Sequence, residues 1–281
     1  MVEKIPQPRP TIEQEEPQPN VTDEAFRRKV DKVVNLFCNS FTVEGADNIP
    51  QPQERKEQEN FIVVSSHFSN LDAPATIKAL GDKLDIQITT ESLLHGVTPQ
   101  EALFRLAGKE HFSTLEYRKL KGGNKTGVFN PADFDALATQ ITEGKTPWLA
   151  IHPFTTTDVM QDARIGAIYL AQKTGAKIIP AGLELQNGGS ISFEGLKELA
   201  RGMKKKTDAT YHISTPIALP PLNVTIIETV LTKRARREKV SPEEAAEFRR
   251  VHQELKNQAD QVADIIAQML PEAQRGKYSK K

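Results

Sequence analysis

An α/β fold, in which a single domain holds a mixed sheet flanked by helices, is what this sequence predicts, and three observations carry the prediction. Short apolar runs of strand length recur at residues 61–64, 148–151 and 177–183. Between them lie segments with apolar residues at helical spacing, so strand and helix alternate as they do when helices cover the faces of a sheet. The length of 281 residues is enough to bury one large core of this class, with extensions.

Taken in order, the elements justify themselves by pattern. Residues 1–20 carry Pro6, Pro8, Pro10, Pro17 and Pro19 among Gln and Glu, and read as a disordered or extended tail. Residues 21–40 read as an amphipathic helix, because Phe26, Val30, Val33 and Phe37 return at steps of four, three and four. Cys38 falls within that pattern as a buried small residue. Arg27, Arg28, Lys29 and Lys32 occupy the other faces, which suits either a surface helix or one meeting anionic lipid heads. The remaining chain, 41–281, is expected to form the domain.

A polar loop at 51–60 precedes the first strand, Phe61-Ile62-Val63-Val64, and a turn and a helix from about Leu71 follow it. Residues 85–90 alternate as a second strand would. From 91 to 130 the pattern is weak, with a helix-like piece at 100–106 and a basic, Gly-rich loop at 119–125. That loop lacks the G-x-x-x-x-G-K-[ST] spacing of a phosphate-cradling loop. Helices are predicted over 133–142 and 165–173, and strands over 148–151 and 177–183. Two basic clusters follow: Arg201, Lys204, Lys205 and Lys206, then Lys233, Arg234, Arg236, Arg237 and Lys239. Such clusters attract anionic membrane, form solvated loops or dock an acidic carrier protein. Ser241-Pro242-Glu243-Glu244 is a capping box with proline at the first helical position. It opens a helix to about Leu270, with Leu255, Ala259, Val262, Ile266 and Met269 as the apolar stripe.

Composition narrows the function classes. Lysine plus arginine balances aspartate plus glutamate, 37 against 37, so no global field points to nucleic acid. The one cysteine excludes an intramolecular disulfide and fits a reducing compartment. No apolar run approaches the ~18 residues of a membrane span, and the start of the chain is not signal-like. The expectation is a cytoplasmic protein, soluble or peripheral on the inner face of the membrane.

The stretch that carries chemistry is Ser65-Ser66-His67-Phe68-Ser69-Asn70-Leu71-Asp72, at the mouth of the first strand. On one continuous helix His67 and Asp72 would lie roughly 140° apart and could not meet. They can meet if the strand ends at His67, the chain turns through Phe68-Ser69-Asn70, and a helix starts near Leu71. Asp72 then falls in the first helical turn, where free N–H groups favour a carboxylate and Pro74 is tolerated. Such a pair deprotonates a hydroxyl: the imidazole takes the proton and the aspartate fixes its tautomer. A serine hydrolase would want a G-x-S-x-G elbow, which is absent. A metal site drawing on His67, Asp72, His152 and Asp158 has no supporting H-x-x-x-H or H-E-x-x-H spacing. His95, His111, His212 and His252 are scattered and read as structural or exposed.

The His67–Asp72 block resembles the H-x-x-x-x-D motif of the glycerolipid acyltransferase family, which includes the bacterial 1-acylglycerol-3-phosphate acyltransferases. Upstream, Val43-Glu44-Gly45-Ala46-Asp47-Asn48-Ile49-Pro50 is similar to the family's V-x-G-x-x-N-I-P segment. Downstream, Gly166 to Ala171 and Gly175 to Pro180 resemble its G-x-x-x-L-A and G-x-x-I-x-P blocks. Leu270-Pro271-Glu272-Ala273-Gln274-Arg275-Gly276-Lys277-Tyr278 resembles the L-P-x-x-x-R-G-x-Y tail of some bacterial members. The match runs, with gaps, from Phe41 to Tyr278.

The resemblance implies an acyltransferase-like α/β domain acting in phospholipid biosynthesis. An acyl group would pass from acyl-CoA or acyl-carrier protein to a hydroxyl of a glycerol phosphate or lysophospholipid-like acceptor. His67 would be the general base and Asp72 its orienting partner, with no cofactor beyond the acyl thioester. Ser69 and Asn70 would help position the site. One block departs from the family: where relatives carry F-P-E-G-T-R, this chain reads His152-Pro153-Phe154-Thr155-Thr156-Thr157. Thr155, Thr156 and Thr157 offer hydroxyl hydrogen bonds but no charge for a phosphate. The phosphate could instead be held by Lys109 or Arg118, with Arg105 and Arg164 as further candidates, or the acceptor could be uncharged. The alternative is a catalytically inactive relative that binds lipid or carrier protein. Peripheral contact with anionic membrane and contact with acyl-carrier protein are the partner expectations.

Overall fold

The structure is a computed structural model that describes residues 21–56, 59–91, 112–115, 131–151, 159–186 and 196–279. Within them, helix α1 (Glu24–Phe37) leads into strand β1 (Cys38–Glu44). Strand β2 (Phe61–Ser65), helix α2 (Asp72–Leu80) and strands β3 (Asp85–Glu91) and β4 (Phe112–Leu115) follow. Helix α3 (Pro131–Thr142), strand β5 (Lys145–Ala150), helix α4 (Gly166–Thr174) and strand β6 (Lys177–Leu185) come next. Helix α5 (Leu196–Lys204), strand β7 (Thr207–Ile213) and helices α6 (Thr225–Ala235) and α7 (Pro242–Met269) complete the order.

The strands form one sheet in the order β1-β7-β6-β2-β5-β3-β4. β6 and β7 are antiparallel and every other neighbouring pair is parallel, so the sheet is mixed, as predicted. β2 sits in the middle, and all five of its residues are buried. Its alternation feeds two cores. Phe61 and Val63 pack with α1 and α2 on one face; Ile62 and Val64 pack with α3, α4, α6 and α7 on the other. The continuous apolar run in the sequence is the signature of that double burial.

Local signals explain the helix starts. Asp23 caps α1 by accepting the Phe26 N–H at 2.9 Å. Ser241 and Glu244 form the reciprocal capping box of α7, with Pro242 at its first position. Val251, Leu255, Ala259, Val262 and Ile266 form its buried stripe, while Met269 packs partly buried at the edge of the core.

Two local expectations are corrected, and one about His212 is made specific. Cys38 does not continue the helix; its backbone is extended (φ −111°, ψ 138°) and it opens β1. The reason is β7, an unanticipated strand whose Thr207, Ala209, Tyr211 and Ile213 point inward and whose edge recruits β1. β5 begins at Lys145 rather than Trp148, because Pro147, which cannot donate to the ladder, hides the first half of the strand. His212 on β7 is a structural tie, its two ring nitrogens 3.0 Å from Glu44 on β1 and 3.0 Å from Glu184 on β6. The tail at 1–20, the helix-like piece at 100–106 and the loop at 119–125 lie outside the described residues. Among those described, no helix is long and apolar enough to cross a membrane.

Candidate active site

The chain leaves β2 at Ser65, turns through Phe68, Ser69 and Asn70, and enters α2 at Asp72. Two side chains pin the turn into opposite cores. Phe68 is buried on the α4 and α7 face, and Leu71 on the α1 and α2 face. Inside the turn, Ser69 and Asp72 hold each other. The Asp72 N–H donates to the Ser69 carbonyl (3.1 Å), and the Ser69 N–H donates to Asp72 Oδ2 (2.8 Å). The Ser69 hydroxyl accepts the Leu71 N–H at 3.1 Å.

That turn brings His67 Nδ1 to 3.1 Å from Asp72 Oδ2. Asp72 is 1 % exposed and the His67 side chain 24 %, so the carboxylate is sealed and the imidazole reaches the surface. Burial pushes the Asp72 carboxyl above its ordinary value; the His67 hydrogen bond and charge oppose this, as do the backbone amides of Ser69 and Phe68. A carboxylate only accepts hydrogen bonds, so ionised Asp72 assigns the proton to Nδ1 and the lone pair to Nε2. The tautomer of His67 is thus set from behind, with the Nε2 lone pair facing away from Asp72.

Residues not anticipated for the site complete it. The Trp148 ring stands edge-on to His67, with centroids 5.4 Å apart at 83°. Its indole N–H donates to Ser65 Oγ (2.8 Å), and the Ser65 hydroxyl donates to the Ser66 carbonyl (2.8 Å). Trp148 pairs with Val63 across the β2–β5 ladder, which places it one strand over and just below the imidazole. Behind α2, the Thr76 hydroxyl donates to the Asp72 carbonyl (2.9 Å) and meets the Tyr211 hydroxyl at 2.6 Å. Thr76 one helical turn after Asp72 was a readable signal; Tyr211 and Trp148 come from other strands and left none.

Unmet polar capacity gathers around the dyad. Ser66 Oγ, Asn70 Nδ2 and Asp72 Oδ1 are buried with no hydrogen-bond partner among the described residues. Buried polar atoms normally find partners, so three orphans within seven residues set this turn apart from the rest of the core. Asn70, expected as a positioning residue, thus has its amide nitrogen unspent, while Ser69 spends its groups on the turn. Thr155, Thr156, Thr157, Lys109 and Arg118 lie outside the described residues, as do His152, Phe154 and Arg105. Arg164 is exposed, and its backbone N–H donates to the Ile151 carbonyl (2.7 Å) just past the end of β5. Among the described residues no cluster of three or more His, Cys, Asp or Glu could hold a metal ion.

No protein-family model matches this chain, and no curated protein matches it. Among solved structures, the chain is similar to the 1-acyl-sn-glycerophosphate (LPA) acyltransferase PlsC from Thermotoga maritima. The identity is 15 % and the TM-score 0.47, over 85 % of this chain and 78 % of that one.

Proposed function

We propose that this protein is an O-acyltransferase of the glycerolipid type. His67 Nε2 takes the proton of an acceptor hydroxyl as its oxygen attacks the thioester carbonyl of acyl-CoA or acyl-carrier protein. The new C–O bond replaces the C–S bond, and the imidazolium returns the proton to the leaving thiolate. No covalent intermediate on the protein is needed, and Asp72 steadies the imidazolium while it exists. The acceptor is a glycerol phosphate or lysophospholipid-like alcohol, the class that the family-like segments of the sequence imply.

The observation that carries this reading is the sealed Asp72 carboxylate gripping His67 Nδ1 at the carboxyl end of the central strand. Ligand sites of open α/β sheets lie at such strand ends. An aspartate that only capped α2 would have no need of the imidazole.

The test is thiol release from long-chain acyl-CoA and from acyl-carrier protein. Acceptors are glycerol-3-phosphate, lysophosphatidic acid, other lysophospholipids and uncharged alcohols. Acceptor-dependent release, lowered about 10²- to 10⁴-fold in folded His67→Ala, is expected. Undiminished release in that variant overturns the mechanism. Silence with every donor and acceptor, alongside lipid or carrier binding that survives His67→Ala, would assign the non-catalytic role.

A further inference from the structure

We infer that the α1–α5 end of the molecule docks on an anionic lipid bilayer, with Leu36 and Met203 as its apolar insertion points. Among the described residues the exposed large hydrophobic side chains are Leu36, at 43 %, and Met203, at 42 %. They lie on two helices that meet. The Lys206 ammonium donates to the Asn35 carbonyl (2.8 Å), and the Asn39 side chain donates to the Lys206 carbonyl (3.3 Å).

Basic charge surrounds this pair. Arg201, Lys204, Lys205 and Lys206 are exposed beside Met203, and exposed Lys32 stands one turn before Leu36 on the same side of α1. Arg201, Lys204 and Lys205 have no ion-pair partner among the described residues. The other basic cluster is partly spent, with Arg237 and Lys239 alone lacking an ion-pair or ring partner among the described residues. Lys233 binds Glu244 at 2.5 Å, Arg234 lies over the Phe248 ring at 5.0 Å, and Arg236 pairs with Glu238 at 4.0 Å. In a chain of zero net charge, uncompensated lysines around exposed Leu and Met match an acidic headgroup layer over hydrocarbon.

Strand register places this rim relative to the dyad. Ser65 on β2 is level with Ala181 on β6, and β6 runs on to Leu185, opposite Ala209 of β7. Thr207, two residues further, is opposite Cys38. The start of β1 and β7, and with it Leu36 and the lysines before Thr207, therefore lies about 20 Å beyond Ser65 in the direction in which β2 points at His67. The rim stands at the end of the sheet where the site opens. A bilayer held there would present its lipids to His67; in that respect alone the inference rests on the proposed acyl transfer.

The full-length protein is sedimented with vesicles of phosphatidylcholine alone, or mixed with phosphatidylglycerol, at low and high salt. Binding to the mixed vesicles and little to phosphatidylcholine is expected. The triple variant Arg201→Glu, Lys204→Glu, Lys205→Glu should weaken it about tenfold or more. Leu36→Ser with Met203→Ser should leave low-salt binding weakened and abolish what persists at high salt. All substituted positions are exposed, and circular dichroism checks the fold. His67→Ala should bind as the wild type does, which separates this inference from the catalytic one. Absence of binding, equal binding by the triple variant, or capture of an acidic carrier protein through these residues without vesicle binding would overturn it.

Discussion

Asp72 and Asp260 carry the same carboxyl group into opposite surroundings. Asp260, on the outer side of α7, accepts hydrogen bonds from Lys256 (3.1 Å), Lys277 (3.3 Å) and the Tyr278 hydroxyl (2.6 Å). Lys277 reaches on to Asp162 (2.5 Å), and Tyr278 accepts the Ala163 N–H (3.2 Å), so the cluster straps residues 275–279 to the body. Partial burial alone would raise the Asp260 carboxyl, but Tyr278 and the lysines outweigh it and hold it below the ordinary range. Among the described residues Asp72 has no lysine or arginine partner, one imidazole, and one oxygen with nothing to accept from. The difference separates a carboxylate tied into a web of cations and a phenol from one sealed against a single imidazole, the arrangement that the proposed acyl transfer would use.

The largest effect is expected from Asp72→Asn. Turnover in the proposed reaction should fall about 10²- to 10⁴-fold, because the amide cannot steady the imidazolium. Stability should not fall with it. The Asp72 carboxyl is held above its ordinary value, so its ionised form opposes folding, increasingly as pH rises through the folded value. A melting temperature at neutral pH equal to or above the wild type, with activity lost, is the expected pair of results. A large drop in melting temperature would make Asp72 structural.

Asp260→Asn should do the reverse, costing about 1 kcal/mol in urea unfolding, since the group is partly exposed and screened, with turnover unchanged. Its carboxyl is held low, so that stabilisation is present above the ordinary carboxylate value and is lost as pH falls through the folded one. The gap between wild type and Asp260→Asn should close at low pH.

Trp148 is the one tryptophan, so its emission reports on its neighbour. His67→Gln should change its intensity and emission maximum at neutral pH. An unchanged spectrum in the variant would mean that the rings do not adjoin in solution. Trp148→Phe keeps a ring beside His67 but loses the bond to Ser65, and a several-fold lower kcat is expected. The smallest effect concerns Cys38, whose thiol burial pushes up to about 11. Iodoacetamide should barely label it at pH 8 in the native state and should label it at pH 8 once urea unfolds the chain.

Local chemistry encodes those parts of the fold that a short stretch of chain can settle. His67 and Asp72 can meet only through a strand end and a helix start, and the apolar Phe61 to Val64, the turn-forming Ser69 and Asn70, and Pro74 supply both within fourteen residues. The α7 start is likewise written in Ser241, Pro242 and Glu244, because a cap is satisfied by residues three positions away. Tertiary structure decided the rest. Cys38 reads as helix until β7 offers an edge for β1, a pairing that spans more than 160 residues of sequence. Pro147 argues against a strand until β2 and β3 flank it. Trp148 and Tyr211 look like ordinary core residues until the sheet brings one to the face of His67 and the other, through Thr76, behind Asp72. Which basic residues find partners was also decided there, since Glu244 and Phe248 reach Lys233 and Arg234 only after α6 folds against α7. Local signals act over a few residues of chain, whereas partners brought together across the sheet are chosen by the burial of the whole core.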